Sequence, residues 1–251
     1  MGVGQDCSGV TSESKSCFEG CCSNQFHCSS KSTCISSSLA CNYKNDCGNN
    51  QDESDSICGE SCYFRYTSWH SAGSGNVWYL DRQEGSCYNI DVLQSLQLER
   101  SGSSQRYIMR CCKWHVPGLT SRHNKNNGLT HISTIVGLKH QDINCNSDRE
   151  MLHSFVIDGE WKKKNWYDTS KSFFIKYSYK CDKVISLSYK TSCKIGNTSK
   201  KSKGDGKTPV LDSINIDCSA KFGQRWFLNQ FQLQESSGQI WYRFKCCRIV
   251  S

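Results

Sequence analysis

Alternation is the clearest pattern in the chain. In the closing strands of LQSLQLERSGSSQRYIMRCC (93–112) and LNQFQLQESSGQIWYRFKCC (228–247), apolar residues recur at every second position. Period two marks a strand with one buried face, and aromatic and β-branched residues suit it. Aligned on the double cysteine, Leu93, Leu96 and Leu98 fall on Leu228, Phe231 and Leu233. A middle copy runs from Leu152 through Phe155 and Ile157 to Cys181, with eleven extra residues that hold Lys162-Lys163-Lys164. The last strand of each copy puts Tyr107, Met109 and Cys111 on one face, as it does Ile175, Tyr177, Tyr179 and Cys181, and Ile240, Tyr242, Phe244 and Cys246. Arg110, Lys180 and Lys245 fall on the other face. No 3.6-period segment competes. The pattern predicts an all-β domain over 60–251, built from three internal repeats (about 60–117, 118–183 and 184–251) in a pseudo-threefold arrangement.

The cysteines follow the same repeat. Cys62 to Cys87 and Cys193 to Cys218 are both 25 apart. The middle copy has Cys145, but Thr120 stands 25 earlier, and that copy ends in Cys181-Asp182. Two cysteines lost together imply that their counterparts are bonded, which gives Cys62–Cys112 and Cys193–Cys247. The remainder then pair as Cys87–Cys111, Cys145–Cys181 and Cys218–Cys246, although adjacent cysteines leave a swap of partners open. Each bridge closes a loop of tens of residues, worth ~3–4 kcal/mol in a chain-entropy model.

Composition sets the compartment. Nineteen cysteines in 251 residues point to an oxidising, extracellular location. No run of eighteen apolar residues exists, so no transmembrane segment is expected. The start, MGVGQDCSGV, lacks the basic region and apolar core of a signal peptide. Charge is divided: residues 1–60 hold three Lys against eight acids, a net of −5, and the rest holds 28 Lys or Arg against 15 acids, a net of +13. Lys162-Lys163-Lys164 and Lys200-Lys201-Ser202-Lys203 read as solvated loops, or as attractors of acidic glycan or anionic lipid. Nucleic acid is disfavoured as a partner, because an extracellular disulfide protein rarely meets it.

Residues 21–58 read CCSNQFHCSSKSTCISSSLACNYKNDCGNNQDESDSIC. Phe26-x-Cys28, Cys34-Ile35, Cys41, Asp46-Cys47, the Asp52-Glu53 pair and Cys58 resemble an LDL-receptor class A module. A segment this short cannot close an apolar core, so disulfides and a metal must supply stability. The resemblance implies a calcium ion bound by the side chains of Asn42, Asp46, Asp52 and Glu53 and the carbonyls of Leu39 and Lys44, all hard oxygen donors. It also implies the bridges Cys21–Cys34, Cys28–Cys47 and Cys41–Cys58, with Cys22 able to replace Cys21. Asn42 stands where the family usually has Asp, which removes one ligand charge. Leu39 stands where many ligand-binding modules carry an aromatic residue, which weakens docking of a partner's lysine. Asp55 competes for a ligand role when the count runs back from Cys58. The tail 1–20 adds Cys7 and Cys17, and with Cys22 they leave an odd thiol that an intermolecular link would use.

The phrase CSAKFGQRWFLNQFQLQESSGQIWYRFKCCRI is similar to dermatopontin-type repeats, in which a Trp-x-Phe strand ends in paired cysteines. That resemblance implies a three-repeat β architecture serving matrix binding or, in some relatives, glycan recognition. Ser237-Gly238-Gln239 stands where the family has an acidic run ending in Asp-Arg, and Tyr107 and Met109 replace the aromatic pair in the first copy. No catalytic constellation is present. The histidines from His115 to His140 are spaced by eight or nine, which suits zinc poorly. Asn197-Thr198-Ser199 is an N-glycosylation sequon within NTSKKSKGDGK, which reads as a mobile loop. Trp69, Trp78, Trp161 and Trp166 lie near polar or Gly-rich stretches, with core packing the expected use and stacking on sugars the alternative. Two functions remain. One is a secreted, calcium-binding, non-enzymatic assembly or adhesion protein whose partner is another extracellular protein or a second copy. The other is a soluble lectin or membrane-targeted defence protein.

Overall fold

The computed structural model describes residues 21–22, 25–29, 32–40, 45–49, 51–54, 57, 62–113, 120–163, 170–184 and 190–250. They divide into two compact units, one before residue 61 and one after it. The first holds a hairpin of β1 (Gln25–Cys28) and β2 (Thr33–Ser36), then single 3-10 turns at Ser37–Leu39 and Gln51–Glu53. Among the described residues its disulfides are Cys21–Cys34 and Cys28–Cys47, so Cys21 rather than Cys22 bonds Cys34. Among the described residues its buried apolar side chains are all cysteines: Cys21, Cys28 and Cys47. The covalent bonds therefore take the place of an apolar core. Cys7, Cys17, Cys41 and Cys58 lie outside the described residues.

The second unit is mostly β-sheet. Its first segment forms β3 (Cys62–Tyr66), β4 (His70–Ser71), β5 (Glu84–Ser86), β6 (Val92–Ser101) and β7 (Ser104–Cys112). The second forms β8 (Thr120–Asn126), β9 (Thr130–His131), β10 (Asp142–Asn144), β11 (Glu150–Lys163) and β12 (Lys171–Val184). The third forms β13 (Lys190–Asn197), β14 (Lys201–Ser202), β15 (Ile216–Asp217), β16 (Phe227–Ser236) and β17 (Gln239–Val250). They make three antiparallel five-stranded sheets with one strand order: β15-β6-β7-β3, β5-β11-β12-β8 and β10-β16-β17-β13. β4, β9 and β14 pair with β7, β12 and β17 respectively.

One short strand in each sheet is donated by another segment. β5 leaves the first segment for the second sheet, β10 leaves the second for the third, and β15 leaves the third for the first. The exchange is cyclic, so no sheet is complete alone. A disulfide ties each donated strand back to its own hairpin: Cys87–Cys111, Cys145–Cys181 and Cys218–Cys246. Each hairpin carries a bulge at the same place, which leaves Gln94, His153 and Asn229 out of register and buried. The carbonyls of His153 and Asn229 accept the Cys87 and Cys145 amides, both at 3.1 Å. Gly85 is needed in β5, because a Cβ there would meet the Met109 sulfur at 2.6 Å and the Phe155 ring at 2.8 Å.

Apolar side chains from all three hairpins meet in one core. Phe155 lies between Tyr107 (5.3 Å) and Tyr177 (6.4 Å), and Phe231 lies between Tyr177 (6.2 Å) and Tyr242 (5.8 Å). Leu96 holds the register position of Phe155 and Phe231 in the first sheet, opposite its own donated strand. The smaller side chain leaves a hollow there, bordered by Leu98, Tyr107, Leu211 and Tyr242. The turns Val77–Arg82, Ile135–His140 and Thr208–Ser213 plug the core with Val77 and Leu80, Ile135 and Leu138, and Thr208 and Leu211. Trp226, which the sequence reading did not single out, is among the largest fully buried side chains.

Two more of the expected bridges are present, and three other expectations change. Cys62 lies opposite Cys112 and Cys193 opposite Cys247, and both pairs are bonded. The residue at that register in the second sheet is Arg122, opposite Asp182, and not Thr120, which pairs with Val184. Counting 25 back from Cys145 fails because the segment between the two positions is shorter there. An ion pair, Arg122 Nε to Asp182 Oδ1 at 2.8 Å, fills the place of a disulfide. The eleven extra residues lengthen the β11–β12 hairpin, so Lys162 and Lys163 sit on a strand end and not in a loop, while Lys164 and Trp166 lie outside the described residues. The 197–207 segment is also ordered by pairing. Lys201 and Ser202 join β17, Gly204 and Gly206 take left-handed φ values of 53° and 76°, and the Gly206 carbonyl accepts the Ile135 amide at 2.9 Å.

The shared register makes a test. Replacing Arg122→Cys together with Asp182→Cys closes a third cross-strand disulfide and stabilises the fold by ~3 kcal/mol. Asp182→Ala alone leaves the half-exposed Arg122 guanidinium without its carboxylate and costs about 1–2 kcal/mol in denaturant titration. If the paired cysteines stay reduced in an oxidising buffer, the three positions are not equivalent.

Candidate functional site

The acidic turn of the first unit is built by side chains that clasp it. Gln51 Oε1 accepts both the amide (2.8 Å) and the hydroxyl (2.7 Å) of Ser29, which ties the turn to the end of β1. The Ser54 hydroxyl donates to the Gln51 carbonyl at 2.8 Å. Asp52 is fully buried, and its Oδ2 accepts the Asp46 amide at 2.7 Å. The Cys28–Cys47 bridge holds the neighbouring residue. The structure thus brings Asp46 and Asp52 together, places Glu53 beside Asp52 in the same turn, and leaves Leu39 exposed at the end of the preceding one. Asn42, Lys44 and Asp55 lie outside the described residues. The contact to Asp52 comes from the Asp46 backbone, and among the described residues the Asp46, Asp52 and Glu53 carboxylates are not gathered around one point; their oxygen donors are of the kind a hard divalent cation takes.

Elsewhere, Asp148, Cys193 and Cys247 offer ligand atoms within 4.8 Å of one another. Cys193 and Cys247 are bonded to each other, so only one carboxylate remains and no metal is held. Asn197 is exposed at the end of β13, and the Thr198 hydroxyl accepts the Tyr242 amide at 3.0 Å. The sequon is therefore fixed on a strand end.

The outer faces of the three sheets differ. β3 presents Phe64 and Tyr66, β8 presents Asn124 and Asn126 at the same register, and β13 presents Ile195 and Asn197. Cations lie against aromatic rings in several places. Arg106 sits between Tyr66 (4.4 Å) and Trp69 (4.3 Å), Arg65 lies over Tyr88 (3.8 Å), and Lys200 lies over Trp241 (4.6 Å). Lys194 and Arg248 share the buried Trp226. Trp78 and Trp161 meet edge-on at 4.7 Å. Of the outer-face cations, Arg110 donates to the Ser219 hydroxyl and Lys245 pairs with Asp148, so both also pin one segment to another. Burial is the main cause that raises the Tyr63 phenol to about 12, and its bond to Asp91 adds to it.

Among the described residues, His153 is the buried histidine of this unit. Its Nδ1 lies 2.8 Å from the Asp91 carbonyl and 3.4 Å from Asp182 Oδ2, with Arg122 Nη2 at 3.3 Å. Burial pushes the imidazole below the ordinary histidine range. The Asp91 carbonyl and Asp182 pull it back, and Arg122 and Lys180 push it further down. The folded chain therefore binds this proton less readily than the unfolded chain does. Stability from neutral His153 is full above about pH 6.5 and is lost as pH falls below it. The thermal midpoint should drop between neutral pH and about pH 5, and His153→Asn, the residue type of the third bulge, should flatten that slope. An unchanged slope in the variant would place the titrating group elsewhere.

No protein-family model matches the chain, and no curated protein matches it, so the functional reading rests on the residues described above.

Proposed function

We propose that the chain is a secreted, calcium-binding interaction protein that assembles with another extracellular protein or with copies of itself. Its second unit, on this reading, is three copies of one β repeat in pseudo-threefold arrangement. The carrying observation is the division of charge, −5 before residue 61 against +13 after it. Opposite fields on two units of one chain favour head-to-body contact between chains, and several such contacts add as avidity. Calcium would be held by Asp46, Asp52 and Glu53, with Asn42 and the carbonyls of Leu39 and Lys44 completing the shell. The buried Asp52 and its clasp support that set. Among the cysteines outside the described residues, Cys7 and Cys17 remain candidates for a covalent link between chains.

A lectin with three like pockets is the weaker reading, because Phe64, Asn124 and Ile195 make the three outer faces chemically unequal. An acidic glycan remains a fitting counterpart of the basic body.

Sedimentation of the intact chain tests the proposal. Calcium at low salt should give assemblies, and EDTA or high salt should dissolve them, because exposed charges are screened. Asp52→Asn should remove the calcium-dependent rise in thermal stability, and Asn42→Asp should tighten calcium binding. An oligomeric state indifferent to chelator and salt would refute head-to-body assembly.

A further inference from the structure

Three strands end their sheets on one side: β3, β8 and β13. Exposed edges pair with other chains unless charge or bulk protects them. β8 carries Arg122, His123 and Lys125, and β13 carries Lys190, Lys194 and the sequon Asn197. β3 reads Cys62-Tyr63-Phe64-Arg65-Tyr66, with a single cation and three aromatic residues. Phe64 is 59% exposed and Tyr66 49%, and Trp69, Tyr88 and Ile90 nearby are exposed too.

The register shows which backbone groups face outward. The Cα atoms of Cys62 and Cys112 are 4.0 Å apart, the narrow spacing of a pair without mutual hydrogen bonds. The next positions alternate, so Tyr63 and Arg65 bond β7, as does the Thr67 amide to the Tyr107 carbonyl at 3.0 Å. The amide and carbonyl of Phe64 and Tyr66 then point away from β7. Among the described residues, no other strand pairs with β3.

We infer that β3 is a dimerisation edge and that its occupant is β3 of a second copy, run antiparallel about a two-fold axis through Phe64. The strand is self-complementary about that residue. Phe64 exchanges both backbone bonds with Phe64 of the other chain and stacks on its ring. Tyr63 of each chain opposes Arg65 of the other in a narrow pair, so each guanidinium meets a tyrosine and no like charges oppose. The same operation centred on Asn124 in β8 sets His123 against Lys125, two basic groups. In β13 it brings the sequon to the interface, where a glycan on Asn197 would block approach. The contact needs no calcium and stands independently of head-to-body assembly.

The test is sedimentation of the full chain in EDTA and high salt, where head-to-body contacts are screened, across the micromolar to sub-millimolar range. The expected result is a concentration-dependent species of twice the chain mass. Phe64→Lys places like charges opposite each other and should return the monomer. Phe64→Pro removes the outward amide while sparing the bonds to β7, and should do the same. Ile195→Lys, at the same register on β13, should leave the dimer intact. A wild-type chain that stays monomeric in this buffer, or a dimer that survives both Phe64 variants, overturns the inference. Loss of all association in EDTA and high salt overturns it while leaving the head-to-body proposal standing.

Discussion

The second unit depends on the cyclic exchange of short strands. β5, β10 and β15 each complete a sheet that their own segment does not otherwise enter. Cys87–Cys111, Cys145–Cys181 and Cys218–Cys246 then join each donated strand to the hairpin it left. Each bridge therefore links two sheets. Strands of two or three residues contribute little by themselves. Held by a covalent bond on one side and a sheet on the other, they make the three sheets one body.

Inside that body the three segments use similar parts. Tyr107, Tyr177 and Tyr242 hold corresponding places, and burial raises all three phenols above their ordinary range. Leu80, Leu138 and Leu211 plug the core from corresponding turns. Outside, the segments diverge: an ion pair replaces a disulfide, and an aromatic edge, an amide-rich edge and a sequon-bearing edge replace one another. The interior is shared among the three segments and the exterior is not.

Strand content and the closing strands before the paired cysteines were legible in the sequence, because alternation and paired cysteines are local signals. The cysteines missing together from the middle copy pointed to Cys62 and Cys112, and the structure joins those two. Arg122 was not legible, since its equivalence to Cys62 is a matter of register across strands and not of distance along the chain. The donated strands were also hidden. EGS and DIN are too short to alternate, and their partners lie in other segments. Trp226 escaped because nothing local marks a Trp after Gln224-Arg225 as buried. In the first unit, the family-like spacing named Asp46 and Asp52, and the hydrogen bond between them appears only in three dimensions.

Native-state hydrogen exchange at the Cys87 and Cys145 amides tests the strand-exchange account most directly. Both amides bond to the bulge carbonyl of the sheet that receives the donated strand. If the exchange unites the three sheets, these amides open only with global unfolding and are protected as strongly as the centres of β7, β12 and β17. Exchange by local opening, orders of magnitude faster than in those strands, would show that the donated strands are accessories to three separately stable hairpins.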